Sequence, residues 1–186
     1  MNSSLDSFIT KATAVGTQVE HCASRDSALD LIVRLLEKEA ISDAPNGYAV
    51  WAESTILTAA DKVRLAAVIP GLKFDVTREL AAQAKIGISQ MDWALADTGT
   101  VVQAADAVDK RLVSTLPMLH IAFVSKQALL PDLPSLLDRI HPDQAAYFAF
   151  ITGPSRTADI ERVLTIGVHG PERFIVIMVD DLEVAA

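Results

Sequence analysis

Along the chain, the period of apolar positions switches repeatedly between helical and extended spacing. Between Ser24 and Ala40, Ala28, Leu31, Ile32, Leu35 and Leu36 recur on one side with Arg34, Glu37 and Lys38 opposite, which predicts an amphipathic helix. The runs on either side of it, Thr17 to Ala23 and Gly47 to Ala52, have strand character, the second following the turn pair Pro45 and Asn46. Further on, Phe74, Asp75 and Val76 predict a short strand, and Arg78 to Lys85 a helix that stops before Gly87. Ala94 to Ala96 and Val101 to Gln103 flank the turn-rich tetrad Asp97, Thr98, Gly99 and Thr100, the pattern of a hairpin or bulged strand pair.

Two continuous apolar runs, Met118 to Val124 and Ala146 to Ile151, read as strands buried on both faces. Between them Leu133, Leu136, Leu137 and Ile140 return at helical spacing. Ile160, Val163, Leu164 and Gly167 then share one helical face, and a last strand covers Phe174 to Val179. Strands separated by helices over the whole length predict one domain, 1–186, built as a three-layer α/β/α sandwich with a mainly parallel sheet. Leu5 to Ala14 is weakly helical, and residues 1–14 are read as a helical arm lying apart from the sandwich, suited to a partner or to homo-oligomer formation.

Composition narrows the function classes. A chain of 186 residues with 51% hydrophobic content has material for a sizeable core, and an aromatic share of 5% leaves that core to Ala, Val, Ile and Leu. The formal net charge of -8 repels a phosphate backbone, and Lys110 with Arg111 is the only adjacent basic pair, so nucleic acid is not an expected partner. With Cys22 alone, the chain can build neither an internal disulfide nor a thiolate cage for zinc or an iron–sulfur cluster. His21, His120, His141 and His169 make no metal-ligand spacing, so no metal is expected. A reducing compartment, no basic-apolar leader and no apolar run of membrane-spanning length together give a cytoplasmic expectation.

The sharpest local feature runs Thr152, Gly153, Pro154, Ser155, Arg156, Thr157, Ala158, Asp159, from an apolar strand through a Gly-Pro turn into a predicted helix start. Unpaired N–H groups at a helix N-terminus, the Ser155 and Thr157 hydroxyls and the Arg156 guanidinium would together hold a phosphate or carboxylate. The plainer reading is a capped helix with Asp159 and Glu161 complementing its dipole. Gly87 to Thr100 is a second feature, in which Asp92 and Asp97 sit among hydroxyls near turns and either bind a ligand's hydroxyls, act as acid or base, or accept local backbone bonds. His120, inside a strand, and His169, in the turn Gly167 to Pro171, are candidate acid–base groups or hydrogen-bonded structural histidines. Arg111 either clamps a carboxylate or lies on the surface.

Ile151 to Glu161, continued by Gly167 to Pro171 and a final apolar strand, resembles the C-terminal signature of the LUD domain in lactate-utilisation proteins of the LutC type. Gly87 to Ser89, Asp92, Ala96 to Thr100, Arg111 to Ser114 and Leu116 to Ile121 also resemble that family's motifs in order, from about residue 86 onward. The resemblance implies a fold similar to the sugar-phosphate isomerase and CoA-transferase superfamily. It also implies a role in oxidising L-lactate to pyruvate beside two iron–sulfur proteins, this chain being the cluster-free subunit that binds a small anionic metabolite or cofactor. Thr98, Gly99, Thr100, Arg111, Ser114, Thr152 to Thr157 and Asp159 become the expected ligand-binding positions, with Asp97, His120 and His169 as candidate catalytic groups. Gln90 and Asp97 stand where the family usually has Gly and Glu, and the shorter acid at 97 draws its carboxylate back. The superfamily likeness leaves a second expectation, a stand-alone isomerase or acyl/CoA-transfer enzyme acting on a phosphorylated or CoA-linked substrate.

Overall fold

A computed structural model describes residues 3–141, 145–158 and 164–182. Helix α1 (Ser3–Ala14) leads into β1 (Thr17–Cys22), α2 (Arg25–Lys38), β2 (Tyr48–Trp51), α3 (Ala59–Val68), β3 (Leu72–Lys73) and α4 (Arg78–Ala82). Strands β4 (Ala84–Met91), β5 (Trp93–Leu95) and β6 (Thr100–Ala104) follow, then α5 (Val108–Thr115), β7 (Leu119–Ser125), β8 (Leu129–Leu130) and α6 (Leu133–Leu137). The chain finishes with β9 (Phe148–Ile151), β10 (Arg156–Ala158), β11 (Leu164–Ile166) and β12 (Arg173–Val179). The central helices begin where side chains cap them: Ser24 exchanges bonds with Ser27 at α2, and Thr58 with Asp61 at α3.

Six strands form the central sheet in the order β1-β12-β7-β4-β2-β3, with every neighbouring pair parallel. Burial on both faces explains the unbroken apolar runs of β7 and β12. Ile121, Phe123, Ile175 and Ile177 meet Leu29, Ile32, Leu36 and Leu65 of α2 and α3 on one face. Ala122, Val124, Val176 and Met178 meet Leu5, Phe8 and Ala12 of α1 on the other. That second face also carries α4 and α5, where Ala81 and Val113 pack with Val50 and Ala84. The layered α/β architecture expected from the pattern is present, with an addition: a four-stranded sheet, order β8-β5-β6-β9, whose β5 and β6 are the predicted hairpin.

Several elements differ from the expectation. Helix α1 exists but does not lie apart, because Phe8 and Ala12 are fully buried and Leu5 nearly so. Helix α4 stops at Ala82 and β4 already begins at Ala84, passing through Gly87. A Cβ at Gly87 would lie 1.9 Å from the Val113 carbonyl oxygen, so this glycine is where α5 lies closest to the sheet, not a helix terminator. The short strand sits at Leu72 and Lys73, where it pairs with β2, and Phe74 packs beside it against the core. Strand β9 is not a buried core strand: it is the edge of the small sheet, and Phe150 is 48% exposed.

The largest correction concerns the last predicted helix. Arg156 to Ala158 is strand β10, antiparallel to β11, with Arg156 opposite Ile166 and Thr157 opposite Thr165. Ile160 and Val163 of the predicted helical face lie outside the described residues, and Leu164 belongs to β11. Glycines at positive φ bracket the segment, Gly153 at 76° and Gly167 at 81°, and β-branched Thr157 and Ile166 favour the extended form.

Candidate functional site

Two clefts lie at opposite ends of the six-stranded sheet. The first, about 270 Å³, opens at the amino ends of β7 and β12 and takes in His120, Phe174, Ser114, Thr152 to Ser155 and His169 to Pro171. It brings together side chains from β7, α5, the turn after β9 and the turn after β11. Among the described residues its lining carries no Asp or Glu.

His120 is its chemical centre. The ring is fully buried, stacks on Phe174 at 5.0 Å, and its Nε2 is 2.8 Å from Ser89 Oγ on the neighbouring strand. Nδ1 is buried with no partner. If Ser89 donates to Nε2, the one unmet group is the Nδ1–H; the other tautomer would strand both the Ser89 proton and the Nδ1 lone pair. The first arrangement is therefore favoured and leaves a neutral donor. Burial holds the imidazole pKa down to about 3, so the ring is uncharged at neutral pH.

Of the predicted ligand-binding residues, Ser114, Thr152, Gly153, Pro154 and Ser155 line this cleft beside His120 and His169. Among the described residues, however, 152–158 open no helix, and strand β10 begins at Arg156. The Ser155 N–H donates to the Pro171 carbonyl at 2.8 Å, and Gly167 N–H to the Ser155 carbonyl at 3.0 Å, so these groups close the turn upon itself. Arg156 turns away and donates to the Val15 carbonyl. Thr157 is in β10, and Asp159 lies outside the described residues. Thr100 and Thr98 bond in series to Thr152, reaching the cleft only through it. Asp97 is exposed at the hairpin tip, where Gly99 abuts α1, and so stands off from both clefts. Arg111 holds the carbonyls of Ala105 and Asp106, covers the Tyr147 ring and lies outside the linings of both clefts.

The second cleft, about 550 Å³, opens beyond the carboxyl ends of β2 and β4 and is lined by Glu53, Ser54, Thr55, Leu57, Gln90, Asp92, Ala107 and Lys110. Gln90 is buried and braces the loop after β2, accepting from Ile56 N–H at 2.9 Å and exchanging a bond with Thr55. Asp92 Oδ2 accepts from Ala104 N–H at 2.7 Å while Lys110 Nζ donates to the Ala104 carbonyl at 3.0 Å, so acid and base hold the two successive peptide groups that flank one residue. Burial pushes the Asp92 carboxyl above the usual carboxylate range, against the Ala104 bond and the Lys110 charge. Of these the sequence marks Asp92 as a candidate, Gln90 only as a departure from the family pattern and Lys110 only as half of a basic pair, and it does not mark Glu53, Ser54 or Thr55. Their shared position just past the ends of two parallel strands was the available signal.

No group of three or more His, Cys, Asp or Glu able to hold a metal occurs among the described residues. No helix among them is long and apolar enough to cross a membrane. The LUD domain profile matches residues 5–179. A "Lactate utilization protein C" of Exiguobacterium sp. is 34% identical over 195 residues, covering 96% of this chain and 78% of that protein. One from Halalkalibacterium halodurans is 41% identical over 109 residues, 55% of this chain, and one from Bacillus subtilis 39% over 107, 54% of this chain. These two alignments span about half of the relatives' own length, 47% and 45%. A crystal structure of a DUF162 family protein from Deinococcus radiodurans shares the fold, with TM-score 0.60, 19% identity, and coverage of 95% of this chain and 96% of that one.

Proposed function

The chain belongs to the LUD domain family, and from that premise we propose that it serves lactate utilisation as a subunit without a cluster. In this reading it works in the cytoplasm beside iron–sulfur partners during oxidation of L-lactate to pyruvate, and its amino-end cleft receives a small anionic metabolite or cofactor. The role rests on likeness to a protein named for lactate utilisation along nearly the whole chain.

One geometric observation carries the location: His120, buried and neutral, lines a cleft free of described carboxylates while its Nδ1 has no partner. An N–H in a water-poor site is worth far more to a carboxylate or phosphate oxygen than in solvent, and leaving it unmet costs about 1–3 kcal/mol. Ser155 Oγ, with no bond among the described residues, and His169 at the rim add donors. The anion is thus met by hydroxyls and ring nitrogens and not by the helix terminus first expected.

Reconstitution of lactate-dependent electron transfer from this chain and the two iron–sulfur proteins of the same system tests the proposal. The expected result is co-purification, activity that requires this chain, and loss of activity in His120→Phe folded to the wild-type far-UV spectrum. Unchanged activity without the chain, together with no co-purification, would overturn the assignment to lactate oxidation.

A further inference from the structure

The cleft at the carboxyl ends of β2 and β4 takes no part in the proposed function, yet it occupies the position where an open parallel sheet is built to bind. Strand β2 connects through α3 outward to the edge strand β3, whereas its neighbour β4 connects through β5, β6 and α5 in the opposite direction to β7. Adjacent strands whose connections leave to opposite sides create a crevice that loops do not fill. Its volume of about 550 Å³ falls in the range of small-molecule sites.

The chemistry of the lining divides in two. On one side α5, eight residues long, opens at Ala107 with no side-chain cap, and Lys110 stands in its first turn. The carboxylate that would ordinarily cover those amides, Asp109, instead accepts the Glu53 N–H at 3.0 Å. Uncapped amides, the positive end of the helix and an ammonium favour an anion. On the other side lie Asp92, whose Oδ2 is engaged by Ala104 so that Oδ1 is the oxygen left to accept, and the Ser54 hydroxyl. Ser54 Oγ is buried without a partner, an independent sign of a missing polar group. Glu53, the other acid, is held at the rim by Lys62 at 2.6 Å and does not oppose the anion from within.

We propose that this crevice is a second binding site, for a small anion that also carries a hydroxyl, with the anionic group at the start of α5 and Lys110 and the hydroxyl between Asp92 and Ser54. Neither half suffices alone. The site is separate from the amino-end cleft and stands or falls independently of the lactate reading, since it depends on different residues at the other end of the sheet.

The test uses the intact chain, amide chemical-shift mapping and calorimetry with four probes: L-lactate, glycerol 3-phosphate, inorganic phosphate and glycerol. A probe with both groups should shift Ser54, Thr55 and Val108 to Lys110 and bind at least about tenfold more tightly than phosphate or glycerol. Which of L-lactate and glycerol 3-phosphate binds more tightly decides between carboxylate and phosphate. Lys110→Met should weaken binding about tenfold or more, with Lys38→Met, at the exposed end of α2 and outside both cleft linings, unchanged. Ala107→Asp separates binding from folding, because it supplies the missing cap and should raise the melting temperature while abolishing binding. Shifts confined to the amino-end cleft, equal affinity for all four probes, or full binding by Ala107→Asp would each overturn the proposal.

Discussion

Removing the charge change of one buried ring should alter how this protein responds to mild acid. In the fold, burial keeps the His120 pKa at about 3, whereas the unfolded ring titrates near about 6.5. As pH falls the unfolded chain therefore takes the proton first. The stability held by the neutral ring is complete above about pH 6.5 and drains away between there and about pH 3. Linkage gives a loss of about 2 kcal/mol between about pH 7.5 and about pH 5 from this residue alone. Carboxylates held low in the fold act at lower pH: Asp61 sits at about 2 through its Thr58 bonds, and Glu39 is lowered by Arg173. Contributions from other groups, including the raised Asp92, are shared by a variant differing only at 120 and cancel in a comparison. His120→Gln retains a group able to accept from Ser89 but has nothing to protonate. Urea denaturation in steps across that interval should show the wild type losing about 2 kcal/mol more than the variant, whatever their absolute stabilities. Parallel pH dependences would show that His120 is hydrated or already charged in the fold, and the argument for a neutral Nδ1–H donor would fail with it.

Phe8→Ala should cost about 3–5 kcal/mol in urea denaturation, because a fully buried ring is removed from the α1 face; a cost below about 1 kcal/mol would restore the detached arm. Gly87→Ala should destabilise by about 3 kcal/mol or more and reduce binding in both clefts, since the new methyl must displace the Val113 carbonyl; a neutral result by calorimetric melting would contradict the close approach of α5. Arg111→Ala should lower stability by about 1–2 kcal/mol through lost carbonyl bonds and ring cover while leaving ligand affinity within about twofold; a tenfold loss of affinity would return Arg111 to the site.

The parts of the fold that could be read in the sequence are those where one physical signal dominated. The stripe from Ala28 to Leu36 faces a sheet, and its spacing reports that directly. Asp97 to Thr100 reads as a hairpin because Gly99 must take φ of 68°. Other signals were ambiguous in kind. Gly87 marks a helix end and a close backbone approach equally well, and only α5, distant in sequence, decides between them. Ala146 to Ile151 is as apolar as a core strand, but burial depends on how many strands flank it, which composition does not encode. The run after Pro154 carried a helical period, yet the partner that makes β10 a strand is the returning β11. Thr152 to Ser155, His120 and His169 line the amino-end cleft despite that error, because Gly-Pro turns and histidines in strands or turns mark positions irrespective of which element follows. Ser54, Thr55 and Lys110 were not read as site residues because each is ordinary alone, and topology brings them together.

Helix α5 connects the two ends of the molecule. Ala107 and Lys110 at its start face the carboxyl-end cleft, and Ser114 and Thr115 at its end face the amino-end cleft. At about 1.5 Å per residue it spans only about 12 Å, so a shift of the helix along its axis would move both linings by the same amount. Strand β4 is the fixed reference for that movement, since Ser89 bonds His120 on one face while Gln90 braces Thr55 and Ile56 beside the other cleft. Gly87 sets the gap between strand and helix. Two ligands bound at opposite ends of so short a helix would each favour one position of α5, and equality of those positions is the condition for independent binding. A coupling between the clefts would therefore be carried by the packing of α5 against β4, β7 and α4, which includes the close approach of the Val113 carbonyl to Gly87, and its size would be set by the difference in α5 position that each ligand prefers.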